Sequence, residues 1–309
     1  MRQTLPLRLI RLLLPSLLVL GLAACGSEDS AALLKEARAK LAAGDDKAAM
    51  IQLKNAVAQD DKNAEARFEL GKLYLAQHNF ASAEKELRRA REAGFPAAVV
   101  NPLLARALLD LGEFQRVVDE LPVAASGDPA AATLQALRAT AELRLGRKED
   151  ARKSLRQASE TAPDNADVQL ALAQLALADN DAAGAMQTLD EALRIDPKHR
   201  DSLLLKADLL FATGKPAEAV AVYRNAIKTD PQHIPARLAL AGIALADNKL
   251  ADARREVDAA LQISPNNLQV RYTQALIDFR EKKTETARDH LAPVLKAAPD
   301  FVPAQLLAG

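Results

Sequence analysis

The feature that most constrains the fold of this chain is a proline that recurs every 34 residues. The row comprises Pro129, Pro163, Pro197, Pro231, Pro265 and Pro299. A row of small residues has the same period and comprises Ala37, Gly71, Ala105, Ala139, Ala173, Ala207, Ala241, Ala275 and Gly309. A fixed period of this length is typical of units that cannot bury an apolar face alone and therefore stack on their neighbours.

Two further rows show how each unit is built. One is mostly alanine and comprises Ala49, Ala83, Val117, Ala151, Ala185, Ala219, Ala253 and Ala287. The other is larger and apolar and comprises Leu53, Leu87, Leu121, Leu155, Leu189, Tyr223, Val257 and Leu291. Two helices can approach closely only where small side chains face each other, and the larger row fills the space beside them. Each unit is therefore predicted to be a tightly packed pair of helices.

The turn between the two helices has its own signal. Glycine or asparagine occupies one slot in most units, among them Gly44, Gly112, Gly146, Gly214 and Asn248. These residues tolerate the left-handed backbone that ends a helix, and the periodic proline stops the second helix. The chain resembles the tetratricopeptide repeat (TPR) family, which implies an all-α fold, a right-handed superhelix (α-solenoid) of helix–turn–helix repeats.

The repeats are predicted to fill residues 30–301 without insertion. Their eight starts are Ser30, Ala64, Ala98, Ala132, Ala166, Arg200, Ile234 and Leu268. Residues 302–309 read as the start of a ninth repeat, and solenoids normally end in a polar capping helix. We therefore expect a truncated piece of a longer solenoid; the alternative is a natural end with a frayed half-helix.

The third repeat is the most irregular. Pro102 lies inside its first helix, and Leu121-Pro122 is expected to cut its second helix short before residues 123–129. We expect this stretch to form a flexible joint between repeats 1–3 and repeats 4–8.

The N-terminus indicates export and lipidation. Three arginines precede an apolar stretch, residues 12–24, that is too short to span a bilayer, and the stretch ends in Leu22-Ala23-Ala24-Cys25. This resembles a bacterial lipobox, which implies that residues 1–24 are a cleaved signal peptide and that Cys25, the only cysteine, is acylated. Residues 25–29 then form the lipidated cysteine and a short tether. Gly26 after the cysteine implies passage to the outer membrane. The alternative to lipidation is an ordinary cleaved signal with a stray cysteine, or an uncleaved anchor.

Composition argues against several functional classes. Removal of residues 1–24 leaves 38 basic and 41 acidic side chains, so the basic footprint needed for nucleic acid is absent. No motif for a catalytic nucleophile, a zinc protease or a phosphate-binding loop is present, and no histidine has a partner at metal-ligand spacing. We predict a non-enzymatic chain without catalytic residues, cofactor or metal.

Binding is expected along the groove lined by the first helices, as is usual in this repeat class. Position 9 of those helices comprises Arg38, Lys72, Arg106, Thr140, Gln174, Asp208, Gly242 and Leu276. The first three form a basic row, which suggests an anionic peptide or lipid headgroups; a solvated face is the alternative. The candidate groove residues are therefore Arg38, Lys72, Arg106, Gln174 and Asp208.

Position 12 forms an apolar stripe. It comprises Leu41, Leu75, Leu109, Leu143, Leu177, Phe211, Leu245 and Phe279. The stripe is read either as the site of an apolar peptide or as core between repeats. The Lys and Asn clamp of chaperone-binding repeats is absent, since the matching pairs are Leu34 with Arg38 and Phe68 with Lys72.

The N-terminal 120 residues or so resemble one particular group. The lipobox, the first repeat directly behind it and the proline-containing third repeat are similar to TPR lipoproteins of the PEP-CTERM/exosortase system. The resemblance implies a periplasmic scaffold that recruits protein partners in exopolysaccharide export and protein sorting. The alternatives are an assembly lipoprotein for a pilus secretin, β-barrel or cell-wall synthase, and a polysaccharide-binding subunit. The last is disfavoured because 7 Phe, 3 Tyr and no Trp leave few platforms for sugars.

Overall fold

The computed structural model describes residues 29–123 and 128–308, and these contain seventeen helices and no strand. The first eight are α1 (Ser30–Ala42), α2 (Asp46–Gln59), α3 (Ala64–Ala76), α4 (Phe80–Glu92), α5 (Ala97–Asp110), α6 (Phe114–Glu120), α7 (Pro129–Arg144) and α8 (Lys148–Thr161). The others are α9 (Ala166–Ala178), α10 (Ala182–Ile195), α11 (Arg200–Ala212), α12 (Pro216–Thr229), α13 (Ile234–Ala246), α14 (Leu250–Ile263), α15 (Leu268–Arg280), α16 (Thr284–Ala297) and α17 (Val302–Ala308). The predicted signal peptide, Cys25 and Gly309 lie outside the described residues.

Consecutive helices pack in pairs, α1 with α2 through to α15 with α16, and each pair stacks on the next. The first helices of the third and fourth pairs begin at Ala97 and Pro129, one and three residues before the predicted repeat starts. The all-α solenoid fold predicted from the period is confirmed. Within the described residues, none of the helices combines the length and apolarity needed to cross a membrane.

The turns follow the predicted chemistry. Backbone φ is positive in the shared turn slot of all eight pairs, at Gly44, His78, Gly112, Asn180, Gly214, Asn248 and Lys282, with Gly146 in the fourth. Asparagine or aspartate side chains then accept hydrogen bonds from the first free N–H groups of many helices, as Asn63 does for α3 and Asn165 for α9. Each helix therefore has a local signal for where it begins or ends.

The small rows are buried where the two helices of a pair meet. Seven alanines of the first small row are inaccessible, and Gly71 stands in the same place in α3. A Cβ atom at Gly71 would lie 2.7 Å from Cγ of Leu87 on α4, closer than real carbon contacts. The predicted reason for the small row, close approach of paired helices, therefore holds at this position.

The third pair departs from the pattern as predicted. Helix α6 has seven residues, whereas the other second helices have 13 or 14. Leu121 follows it as a buried side chain, and Pro122 is exposed. Residues 124–127 of the expected joint lie outside the described residues. The described residues around it are packed, because Leu104 and Val117 share one hydrophobic cluster with Leu134 and Leu137 of α7.

The array bends most sharply in its middle. Helices α5, α7 and α9, all first helices, pack directly on one another, whereas the first helices of the later pairs touch only slightly. This bend turns repeats 2 and 3 toward repeats 5 and 6, so that the groove between them is narrow enough for side chains to bridge it.

Candidate functional site

The predicted basic row of the groove is matched by carboxylates. Arg38 lies 3.0 Å from Glu65 of α3, and Lys72 lies 2.8 Å from Glu69 one turn before it in the same helix. The side chains of Arg38 and Lys72 remain about half exposed, at 50% and 47%. An anionic ligand at either position would therefore compete with a carboxylate that is already present.

Arg106 makes a different kind of contact. Its guanidinium donates to Asp167 of α9 at 2.6 Å, two repeats further along the groove. His199, at the start of α11, lies 3.3 Å from the other oxygen of the same carboxylate. Arg106 thus differs from Arg38 and Lys72, because its ion pair crosses the groove to repeat 5.

The remaining groove candidates are also hydrogen-bonded. Thr140 donates to Gln174 at 2.7 Å, linking position 9 of the fourth and fifth repeats. Asp208 accepts a hydrogen bond from the phenol of Tyr223, a buried side chain of α12. Burial, together with the Asp208 carboxylate, raises the pKa of Tyr223 above its usual range. This end of the position 9 row is polar but not basic.

The apolar position 12 row divides into two groups. Leu41, Leu75, Leu109, Leu143, Leu177 and Leu245 pack against hydrophobic clusters. Phe211 and Phe279 are 47% and 48% exposed. Most of the stripe is therefore core between helices, and two phenylalanines of the sixth and eighth repeats face solvent.

A cluster of charged side chains across the groove was missed by sequence reasoning. Arg200, the first residue of α11, lies 3.1 Å from His78 Nδ1 and 3.4 Å from Asp110. His78 Nε2 lies 3.1 Å from Asp230, which follows α12. These pairs are 122, 90 and 152 residues apart in the chain. No local spacing signals them, because only the bend of the superhelix brings the residues together.

The charges in this cluster are incompletely compensated. Burial in the narrow groove raises the pKa of Asp110, although Arg200 opposes the shift and the Asp201 carboxylate adds to it. Burial acts in the same sense on Asp201, but the adjacent Arg200 guanidinium outweighs it and lowers that pKa. The two carboxylates keep 32% and 45% of their side-chain surface in contact with water. The Arg200 guanidinium is thus shared by the carboxylates of Asp110 and Asp201 in the narrow part of the groove.

The two buried histidines have structural roles. His233 accepts a hydrogen bond at Nδ1 from the backbone N–H of Ala236 and so caps α13, and its Nε2 is buried without a partner in the described residues. Burial, with the nearby Arg200 charge, lowers the pKa of His233. His199 lies 2.7 Å from Ser202 at the start of α11. Residues 29–123 and 128–308 contain no group of three His, Cys, Asp or Glu side chains placed to hold a metal ion.

Comparison with known families gives matches along most of the array. Two family models, both described as tetratricopeptide repeat, match the chain; one covers residues 40–107 and 210–277 and the other covers residues 136–200. A search of curated proteins finds no significant match.

Several solved structures match this chain over most of its length. An IFIT1 monomeric mutant bound to Gppp-AAAA is 14% identical with a TM-score of 0.56, over 88% of this chain and 72% of that one. PilF of Pseudomonas aeruginosa is 18% identical with a TM-score of 0.49, over 80% and 96%. PilW, a type IV pilus biogenesis factor, is 16% identical with a TM-score of 0.47, over 91% and 98%. At these identities the likeness concerns the fold alone.

Proposed function

The chain belongs to the tetratricopeptide repeat superfamily, and we propose that it is a lipid-anchored periplasmic scaffold that binds protein partners along its groove. TPR proteins bind protein or peptide partners. The groove of this chain offers such partners a row of hydrogen-bonding and charged side chains on helices held by a continuous core. Side chains fixed on helices recognise a partner at little entropic cost.

The anchor is proposed from the lipobox-like stretch before Cys25, and the start of the first helix determines how far from the membrane the array would lie. Helix α1 begins at Ser30 and is capped by Asp29, whose carboxylate accepts from the N–H of Ala31. Only residues 26–29 then separate Cys25 from the array, and four extended residues span roughly 14 Å. The anchor would place the first repeats, with Arg38 and Lys72, next to the lipid headgroups. Two or more acyl chains on the cysteine would make this attachment stable.

The system served by the scaffold is proposed from the N-terminal resemblance. The lipobox, the repeat directly behind it and Pro102 within α5 favour exopolysaccharide export and PEP-CTERM exosortase-linked sorting. The anchor is proposed to lie in the outer membrane because Gly26, not an aspartate, follows Cys25.

Affinity purification from detergent-solubilised envelopes tests the proposed system. The full chain serves as bait, Cys25→Ser is the control that cannot be acylated, and mass spectrometry identifies the captured proteins. Enrichment of exosortase, PEP-CTERM or polysaccharide-export proteins with the acylated bait is expected. Enrichment of secretin, pilus or barrel-assembly components would overturn the assignment and leave a tethered scaffold of another envelope machine.

A charge reversal tests the groove as the binding face. Lys72→Glu changes an exposed position 9 residue of α3, and Lys85→Glu makes the same change on an exposed residue of α4 in the same repeat. Loss of the captured partner with the first variant only is expected. Equal capture by both variants would place the binding face away from the groove of this repeat.

Metabolic labelling with radioactive palmitate tests the anchor separately. Label is expected in the unaltered chain and is expected to be absent from Cys25→Ser.

A further inference from the structure

Repeats 2 and 3 form one wall of the groove and repeats 5 and 6 form the other, and among the residues that the structure describes only polar contacts join the two walls. Hydrogen bonds or ion pairs cross it between His78 and Asp230, His78 and Arg200, Asp110 and Arg200, and Arg106 and Asp167. Each described hydrophobic cluster stays within neighbouring repeats, and none joins repeats 2 or 3 to repeats 5 or 6. In the described residues, therefore, side-chain hydrogen bonds and ion pairs, and not apolar burial, hold repeats 2 and 3 against repeats 5 and 6.

His78 is the residue that joins both walls in one ring. A guanidinium can only donate, so Nδ1 of His78 accepts from Arg200. The Nε2 atom then carries the hydrogen and donates to the Asp230 carboxylate. One neutral tautomer makes both bonds at once. The residue stands at the left-handed turn after α3, with φ of 55°, where the matching turns of repeats 5 and 7 have Asn180 and Asn248.

The strength of these contacts is suited to reversible opening. Arg200 and Asp110 keep about a third of their side-chain surface exposed, and Arg106 keeps 37%. Ion pairs with this degree of exposure are individually weak and are screened by salt. Weak contacts can nevertheless select one of two states when both are close in free energy. A superhelix that is otherwise held by local packing meets this condition, since opening the groove leaves the stacked core intact.

We propose that His78, Arg106, Asp110, Asp167, Arg200 and Asp230 form a clasp that holds the groove closed. Screening of their charges, or competition by charged groups of a bound partner, opens it. The clasp does not depend on what the groove binds. If the groove is the binding face, opening the clasp controls access to its middle, where Arg106 and Thr140 lie.

Pulsed electron–electron resonance measures the opening directly in the full chain. Spin labels are placed at Lys85→Cys on α4 and Lys228→Cys on α12, two exposed lysines on opposite sides of the clasp, in a Cys25→Ser background that has no other cysteine. At about 20 mM salt a single narrow distance is expected, and at about 1 M salt a longer and broader distribution is expected.

Two variants separate the clasp from general effects. His78→Asn keeps a residue that suits the left-handed turn but removes both contacts, and the matched control is Lys282→Asn at the same turn of repeat 8. His78→Asn at low salt is expected to reproduce the lengthening seen at high salt, and Lys282→Asn is expected to leave the distance unchanged. Arg200→Gln, which removes two of the four contacts, is expected to act like His78→Asn. Circular dichroism checks that helix content is unchanged in each variant.

The outcomes decide the proposal. An unchanged distance in high salt and in both clasp variants would mean that the walls are held without these contacts, and the clasp would be rejected. The same increase in the spin-label distance in Lys282→Asn would also reject the clasp, because a substitution far from it would then have the same effect as the clasp variants.

Discussion

Repeats 3–5 and repeats 6–8 are built on the same rows of residues but bend differently. In repeats 3–5 the first helices α5, α7 and α9 lie directly against one another, whereas α11, α13 and α15 touch only slightly. Two features of the sequence account for the difference. Helix α6 is half the usual length, and Ala132, Ala136 and Ala139 of α7 share a buried cluster with Val168 and Ala171 of α9. Small side chains allow helices to approach.

This comparison separates two levels of the fold. The apolar rows decide which residues of each pair form the core, and they are equally buried in both regions. The length of the second helix and the size of the side chains between first helices decide how far the array curves. Curvature in turn decides whether side chains meet across the groove.

The largest expected effect tests the core that both regions share. Leu155→Asp in repeat 4 and Val257→Asp in repeat 7 each place an unpaired charge at a fully buried position. Each is expected to lower the free energy of unfolding by about 3–5 kcal/mol, the range for an uncompensated buried charge. Urea denaturation followed by circular dichroism measures the loss.

The matched control for these variants is Ile51→Asp on α2, where the isoleucine is 60% exposed. It is expected to change stability by less than about 0.5 kcal/mol, as surface substitutions do. A small loss of stability at either core position, or a large loss at Ile51, would contradict the conclusion that both regions bury the same rows of residues.

A second prediction addresses the close approach of α7 and α9. Ala136→Leu inserts a large side chain at a position of α7 that is 1% exposed, where repeat 7 has Leu238 in α13. Overpacking is expected to cost about 1–3 kcal/mol and to move α9 away from α7. Thermal melts give the cost, and small-angle scattering gives the accompanying increase in the radius of gyration.

Ala178→Leu, at the exposed end of α9, is the control and is expected to leave both quantities unchanged. If Ala136→Leu were tolerated without change in either quantity, small side chains would not be the cause of the tight bend.

Much of the fold follows from sequence and little of the groove does. Residue type and spacing determine several local features. These are the buried rows that end at Leu291 and Ala287, the left-handed turns, and the short second helix of repeat 3. Predictions for the groove named residues one repeat apart, such as Arg38, Lys72 and Arg106, because the repeat period makes them neighbours. Their ion pairs with Glu65, Glu69 and Asp167 were not foreseen.

The clasp could not be predicted because it depends on accumulated curvature. His78 and Asp230 belong to turns four repeats apart, and small changes of angle at each interface decide whether they meet. The two histidines that end repeats, His199 and His233, lie in turns between repeats. Their burial and hydrogen bonds emerge only from the packed structure.

Alanine substitutions at two glycines are expected to change the stability of the chain in opposite directions. Gly71→Ala in α3 would place a Cβ atom 2.7 Å from Leu87, whereas Gly242→Ala in α13 would meet no atom within 4 Å. Alanine is favoured over glycine in helices by about 1 kcal/mol. Gly242→Ala is therefore expected to stabilise the chain by about 0.5–1 kcal/mol, and Gly71→Ala to destabilise it by about 1 kcal/mol after overpacking is included.

Urea midpoints of the two variants, measured beside the unaltered chain, give both signs in one experiment. Stabilisation by both substitutions would mean that Leu87 moves aside readily and that the small row tolerates growth at this position.

The smallest expected effect concerns the ion pairs that join α4 to the short α6. Arg88 and Arg116 each contact both Glu84 and Glu120. Partial burial raises the pKa of Glu84, but hydrogen bonds from the two arginines outweigh it, so the pKa lies below its usual value of 4.5. Hydrogen bonding to Arg116 is the main cause of a similarly lowered pKa at Glu120.

Because both pKa values are lowered by folding, the stabilisation is present above pH 4.5 and is lost as the pH falls through the folded values. For exposed and half-buried pairs the loss is expected to be below about 1 kcal/mol per pair. Arg116→Gln should therefore reduce the melting temperature at neutral pH. The further decrease in melting temperature between about pH 7 and about pH 3.5 should be smaller in this variant than in the unaltered chain. Arg288→Gln, which breaks an exposed pair with Glu285, should change neither. An equally steep fall in Arg116→Gln and in the unaltered chain would show that the acid sensitivity of the array arises elsewhere than at its irregular third repeat.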